Sequence, residues 1–255
     1  MFLLFFYIWT AVVLVLFSPS YINFKLCMKA SQAWAAGVVW GLKHIAGVES
    51  KLIGIENLEK LTGNKYSFEG GRLKNLSTIN HQPSTNKGFI VACKHQSAWE
   101  TIVPFLYVPN TSYVYKKEIG YIPFFGWYNV FLNNISVDRK AGAKALKIVT
   151  SQAIARVSEG RGITLFPEGT RVPVDKKVKY KPAIYSIYKE GVDVIPAAVN
   201  SGYFWPKGKF LNKKGTIYFE YLEPMPKGLS KEDFMAELEN RIETASQKLA
   251  NISNG

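Results

Sequence analysis

The stretch "GFIVACKHQSAWET", Gly88 to Thr101, decides how this chain is read. Its first half is a short apolar run that suits a buried strand, and its second half looks like the start of a helix. Ser97-Ala98-Trp99-Glu100 fits the capping-box pattern: the serine accepts a backbone N–H and the glutamate reaches back to the cap. Taken alone, these residues serve as a polar helix start as readily as a catalytic turn. A strand handing over to a helix is the unit of α/β folds, so the rest of the chain must show whether it repeats.

It does. "TSYVYKK" (111–117) and "FLNNISVDR" (131–139) are strand-like, and "AGAKALKIVTSQAIARVSEG" (141–160) is an amphipathic helix stopped by Gly160. "GITLFPEGTR" (162–171) is a buried strand running into a glycine-containing loop. "AIYSIYKEG" (183–191) is helical, "DVIPAAVNSG" (193–202) is a strand again, and "GTIYFEYLEPM" (215–225) alternates as a late strand. The last segment, Ser230 to Ala250, opens on a second cap and places Phe234, Leu238, Ile242, Ala245 and Leu249 on one face. Lys74 to Gly88 reads as a polar loop, and "KKVKYK" (176–181) as a solvated basic loop rather than a nucleic-acid stripe. No internal repeat is present.

Composition narrows the partners. Lys and Arg outnumber Asp and Glu by 32 to 19, a formal charge of +13, which predicts an anionic partner without choosing its kind. The two cysteines, Cys27 and Cys93, suggest neither a disulfide framework nor a metal site. The N-terminus favours lipid. "MFLLFFYIWTAVVLVLF" (1–17) carries no charge and lacks the basic lead of a signal peptide. It approaches the length needed to span a bilayer or to lie in one leaflet, and "SPSY" with Pro19 breaks it. From Leu26 to Ala46, the residues Leu26, Ala30, Ala33, Trp34, Gly37, Val38, Leu42 and Ile45 recur at helical spacing, with Lys29, Gln32, Lys43 and His44 off that stripe. Tryptophans beside lysines suit an interfacial helix, and a helix packed on the body is the alternative. The lysines after the first run place the body on the cytoplasmic side. Residues 1–47 are therefore read as membrane-associating helices and 48–255 as the α/β body.

Several chemistries lack their motifs: no G-x-S-x-G elbow, P-loop, H-E-x-x-H or G-x-G-x-x-G occurs. Of three histidines, His44 falls in the interfacial helix and His81 in the polar loop, which leaves His95 for proton transfer near neutral pH. On a regular helix His95 and Glu100 would sit roughly 140° apart. A turn between strand and helix can bring them together, and a carboxylate on one ring nitrogen leaves the other free to take a proton.

In order along the chain, "HQSAWE", "KKEIGYIPFFG", "LFPEGTR" and "VIPAAVN" resemble the four blocks of the glycerolipid acyltransferase family. The resemblance covers about Phe89 to Tyr203. It implies a single α/β acyltransferase domain with a mixed central sheet flanked by helices. It also implies an O-acyltransferase of phospholipid biosynthesis at a bacterial inner membrane, working on a lysophospholipid. The acyl donor would be acyl-CoA or acyl carrier protein, with no cofactor, no metal and no nucleic-acid partner. His95 matches the family's histidine base, and Glu100 stands where aspartate is usual. Lys116 matches the lysine of the second block, with Lys117 as its fallback, and Gly126 matches that block's glycine. Glu168, Gly169 and Arg171 match the block that helps bind glycerol phosphate. Pro196 matches a structural proline of the fourth block. The chain departs at Lys181-Pro182-Ala183, where the family often has Lys-x-Gly. The chemistry of a thioester donor, whose thiolate leaves readily, needs no acyl-enzyme, so Ser97 is read as a cap rather than a nucleophile. Oxyanion donors are expected among the backbone amides of the first block. Three rivals remain: the same transfer to glycerol 3-phosphate or another lysolipid, a lipid hydrolase in which His95 activates water, and a non-catalytic, membrane-attached basic binding protein.

Overall fold

The computed structural model describes residues 1–16, 23–76, 88–122, 125–208 and 213–252, with only the backbone at Phe125 and Arg139. The break at Pro19, His81 with most of its polar loop, and Pro123 of the second block lie outside the described residues. The strands are β1 (Val48–Ile53), β2 (Tyr66–Glu69), β3 (Arg72–Asn75), β4 (Phe89–Cys93), β5 (Ser112–Lys116), β6 (Ile135–Val137), β7 (Gly162–Leu165), β8 (Val194–Val199) and β9 (Gly215–Tyr221). Among the described residues, seven of these form one sheet in the order β1-β9-β8-β4-β7-β5-β6, and β2 and β3 make a separate hairpin. All neighbours in the large sheet run parallel except β8 and β9, so the sheet is mixed.

β4, β7 and β8 are buried along their whole length, which explains why they read as unbroken apolar runs. A parallel sheet covered on both faces has no solvent side to alternate with. The period of two survives in which core each residue joins. Phe89, Val91, Cys93, Ile195, Ala197 and Val199 face one layer, whereas Ile90, Ala92 and Val194 face the other.

The second layer is built from α6 (Gly142–Ser158), α7 (Ala183–Tyr188) and α8 (Lys231–Ile252). α8 buries the stripe read from sequence, Phe234, Leu238, Ile242, Ala245 and Leu249, and Ser230 caps it by accepting the Asp233 N–H at 3.1 Å. The first layer is built from α1 (Phe2–Leu16), α2 (Phe24–Ala46) and the single turn α4 (Pro104–Tyr107). α3 (Ile55–Thr62) lies beside β9, and α5 (Phe125–Phe131) lies between β5 and β6 in sequence.

α1 and α2 run antiparallel. Trp9 donates to the Trp34 carbonyl at 2.9 Å, and the Trp34 ring N–H donates to the Thr10 hydroxyl at 3.0 Å. Phe2 and Phe6 reach Trp205 of the body edge-on, with ring centroids 5.5 and 5.9 Å away. α2 departs from the interfacial expectation. Ala30, Val38 and Leu42 of its stripe are buried in the same core as the sheet, so much of that stripe is packing surface. Among the described residues no helix is long and apolar enough to cross a membrane. The 15 residues of α1 cover roughly 22 Å, short of a hydrocarbon core of about 30 Å.

Candidate active site

Strands β8, β4, β7 and β5 are parallel neighbours, so their carboxyl ends share one edge of the sheet. In open α/β sheets that edge is where ligands bind. Each strand delivers one block there. His95 follows β4, Phe166 to Gly169 follow β7, Lys116 ends β5, and Asn200-Ser201 follow β8.

His95 and Glu100 meet. The imidazole Nδ1 lies 3.1 Å from Glu100 Oε1, which fixes Nδ1 as the protonated nitrogen and leaves Nε2 to accept a proton. The intervening turn is closed by the carboxylate itself. Glu100, fully buried, accepts the N–H groups of Gln96 and Ser97 on Oε1. It also accepts the hydroxyls of Ser97 (2.9 Å) and Ser201 (2.7 Å) on Oε2. Burial works to raise its pKa, but the hydrogen bonds from His95, Ser201 and Ser97 outweigh burial and hold the carboxyl below its usual range. Ser97 caps as expected, accepting the Trp99 N–H at 2.9 Å. The cap opens onto a short 3-10 turn, Trp99–Thr101, and Pro104 starts α4 rather than interrupting a helix. The His95 ring stacks on Phe166, with centroids 4.0 Å apart.

Three backbone amides of the block that should supply oxyanion donors already have acceptors. Gln96 and Ser97 give theirs to Glu100, and His95 gives its own to Glu168 Oε2 at 3.1 Å.

Glu168 is buried. Its Oε1 lies 3.1 Å from Lys94 Nζ, and Lys94 also pairs with Glu243. Burial raises the Glu168 pKa to about 7 against the opposing pull of Lys94. The sign follows from proton counting. The unfolded chain releases this proton near pH 4.5 while the fold holds it to about 7, so stability falls as pH rises across that window. The loss is roughly 3 kcal/mol, at about 1.4 kcal/mol per pH unit. Glu168→Gln is expected to flatten this part of the stability curve; chemical denaturation between pH 4.5 and 7 checks it, and an unchanged slope would refute it.

A cavity of about 910 Å³ opens at this edge. His95, Glu168, Gly169 and Thr170 form its polar end, with Lys116, Lys179 and Lys181 as cationic wall. Trp34, Phe105, Leu132, Val149 and Leu165 line its apolar remainder, reaching α1 at Val13 and Leu14. Among the described residues no three His, Cys, Asp or Glu side chains are grouped to hold a metal ion.

The other expected residues divide. Gly169 adopts φ +70°, a left-handed conformation that glycine takes without strain, and lets the loop turn back so that Val172 N–H reaches the His95 carbonyl at 2.8 Å. Lys116 stands exposed at the cavity wall, 3.4 Å from Glu118 Oε1. Gly126 is spatial: a Cβ there would lie 2.3 Å from the Gly120 carbonyl oxygen. Pro196 is buried where the β8–β9 ladder ends at Ala197–Tyr221; its carbonyl accepts from Leu222 N–H, and its missing N–H leaves the return bond of that pair unmade. Arg171 is half-buried on the loop after Gly169 but does not line the cavity.

The acyltransferase family model matches residues 55–200, the span that holds all four blocks. The chain belongs to the acyltransferase family. A 1-acyl-sn-glycerol-3-phosphate acyltransferase of Pseudomonas aeruginosa is 30% identical over 224 residues, 87% of this chain and 77% of that one. One from Cocos nucifera is 26% identical over 171 residues, 64% of this chain and 56% of its own length. Among solved structures, the lysophosphatidic acid acyltransferase PlsC of Thermotoga maritima aligns with a TM-score of 0.73 at 21% identity, covering 97% of this acyltransferase and 94% of PlsC. That likeness extends the shared fold across the N-terminal helices.

Some site residues escaped the sequence reading. Ser201 is 101 residues from Glu100, and Gln96 Oε1 accepts the Gly202 N–H at 3.0 Å across 106 residues. Lys94, Tyr180 and Glu243 carry no motif. Lys179 was legible only as part of a basic loop, and Lys181 as the lysine of Lys181-Pro182-Ala183 but not as part of the cavity wall.

Proposed function

We propose that this chain transfers an acyl group from a thioester, carried by coenzyme A or acyl carrier protein, to the sn-2 hydroxyl of a 1-acylglycerol 3-phosphate. The observation that carries the reading is His95, locked by buried Glu100, at the polar end of a largely apolar cavity. Nε2 takes the hydroxyl proton as the oxygen attacks the thioester carbonyl, and the carbon–sulfur bond of the tetrahedral intermediate then breaks. The thiolate leaves and takes up the proton from the imidazolium. General-base help of this kind is worth about 10²–10⁴-fold. Ser97 is unsuited to an acyl-enzyme: it is buried, donates to Glu100 and accepts from Trp99.

Lys116, Lys179 and Lys181 bring positive charge to the cavity wall, and Arg171 lies on the same loop as Gly169. The three lysines suit the acceptor's phosphate as charge-assisted donors, while Arg171 stays off the cavity. The apolar remainder suits acyl chains. A lipid surface is supported by exposed Leu4, Tyr7, Ile8, Val15 and Leu16 on α1, and by Trp127, Val130 and Phe131 on α5. Arg161 links the start of α2 to the end of α5: it lies 5.2 Å over the Phe24 ring and donates to the Leu132 carbonyl at 2.8 Å.

Detergent-purified protein given acyl-CoA or acyl carrier protein with lysophosphatidic acid should yield phosphatidic acid, and it should float with anionic vesicles. Product from glycerol 3-phosphate alone would change the acceptor. Free fatty acid alone would favour the hydrolase. No product from any pair would leave a binding protein.

A further inference from the structure

Behind the base lies a second charged cluster, of which only Glu168 belongs to one of the four blocks. Lys94, buried directly before His95, places its ammonium between Glu168 and Glu243, 3.1 Å from Glu168 Oε1. The hydroxyl of buried Tyr180 donates to the same Glu243 oxygen at 2.9 Å. Glu243 belongs to α8, Tyr180 to the basic loop and Glu168 to the strand-end turn, so four separate segments converge on one point.

Each is fastened to the site. Glu168 accepts the His95 N–H, Val172 N–H donates to the His95 carbonyl at 2.8 Å, and Lys181 N–H donates to the Pro167 carbonyl at 2.7 Å. Both backbone polar groups of His95 are thus held by the loop that Glu168 anchors. One ammonium against two carboxylates leaves one negative charge too many, and the raised pKa of Glu168 relieves it by favouring the protonated acid.

We infer that Lys94, clamped by Glu243 and Tyr180 of the C-terminal half, is a positioning residue that holds the His95 backbone in register with the cavity through Glu168. It touches neither reacting atom. The inference rests on His95 acting as the base, and a buried pair broken on one side leaves an uncompensated charge where rigidity is needed. A displacement of about 1 Å at a catalytic group can cost 10²-fold in rate, so the effect should appear in kcat and leave KM for donor and acceptor nearly untouched.

The test compares wild type with Lys94→Met, Lys94→Arg, Glu243→Gln, Tyr180→Phe and His95→Ala. Two readouts are taken well below the melting temperature: steady-state kinetics, and amide hydrogen exchange of peptides covering 94–99 and 166–172. Lys94→Met and Glu243→Gln are expected to exchange at least about tenfold faster in those two peptides and not in α6. Their kcat should fall about 10- to 100-fold, with Lys94→Arg recovering part of the loss. A folded Lys94→Met protein with wild-type kcat, or with unchanged exchange, overturns the proposal. If Lys94→Met fails to fold, Glu243→Gln and Tyr180→Phe decide it, and wild-type exchange and kcat in both overturn it. An active His95→Ala protein alongside a loosened Lys94→Met would sink the base and keep the brace.

Discussion

His95→Ala is expected to fold, to bind lipid as wild type does, and to lose about 10²–10⁴-fold in kcat for acyl transfer. The magnitude comes from what the ring does. Nδ1 is committed to Glu100 at 3.1 Å, so Nε2 is the nitrogen left to take the acceptor's proton, and among the described residues His95 is the histidine that lines the cavity. His44 instead lies beside Trp40 in α2, ring centroids 4.8 Å apart. The fold should tolerate the change because Glu100 keeps the amides of Gln96 and Ser97 and two serine hydroxyls, and what packing is lost is one ring face on Phe166. Steady-state kinetics with a melting curve on the same sample checks this. An alanine protein that melts normally and keeps more than about a tenth of wild-type kcat would remove His95 from the mechanism.

Glu100 carries the second large effect, and two substitutions separate its structural share from its chemical one. Glu100→Ala strands the buried amides and hydroxyls that converge on the carboxylate, together with the imidazole Nδ1. Leaving several buried donors without an acceptor costs about 1–3 kcal/mol each before relaxation, so a loss of about 3–5 kcal/mol is expected. Glu100→Gln keeps an oxygen for His95, Gln96 and Ser97, while its NH₂ can be accepted by the serine hydroxyls. Its stability should suffer much less. The tautomer survives, but the charge that stabilises the imidazolium does not, so kcat should still drop roughly 10- to 100-fold. The pH behaviour separates them further. A carboxyl held below its unfolded value near 4.5 contributes stability that is present above that pH and lost as pH falls through the folded pKa. Glu100→Gln should lack that acid-side loss. Denaturant melts at two pH values with single-turnover rates measure both, and a glutamine variant with wild-type kcat would make the pairing structural only.

How much of this was written in the sequence depends on the range of each interaction. Strands β4, β7 and β8 and helices α6 and α8 follow from local periodicity and caps, and they appear where "GFIVAC", "GITL", "VIPAAV" and the Ser230 cap place them. The four blocks and the His95–Glu100 turn are short-range, and chain order alone makes them specific. The sheet order was not legible, because β8 pairs with β4 across about a hundred residues and nothing local records that choice. β1 escaped for a different reason. "VESKLI" is an edge strand with a mixed pattern, and it is held by parallel pairing to β9 at the far end of the chain. α2 misled because an apolar stripe looks the same whether lipid or a sheet covers it; the burial of Val38 and Leu42 decided for the sheet. Arg171 and Glu168 share one motif, yet one side chain is half-buried off the cavity and the other sits beneath the base. A motif fixes neighbours along the chain and says nothing of which way each points.

The way Glu243 closes the site has a consequence for how the protein is made. A ribosome releases β4 and His95 early, but Val172, Ser201 and finally Glu243 arrive later, and each is needed to finish the turn around the histidine. Contacts of such separation form late and slowly, with apolar strands waiting uncovered. A nascent chain halted before α8 would display all four acyltransferase blocks and still leave Lys94 facing a single carboxylate. Synthesis of α8 is therefore the step at which the brace on Lys94 is completed, and release before it yields a polypeptide with its four blocks present and its scaffold unfinished.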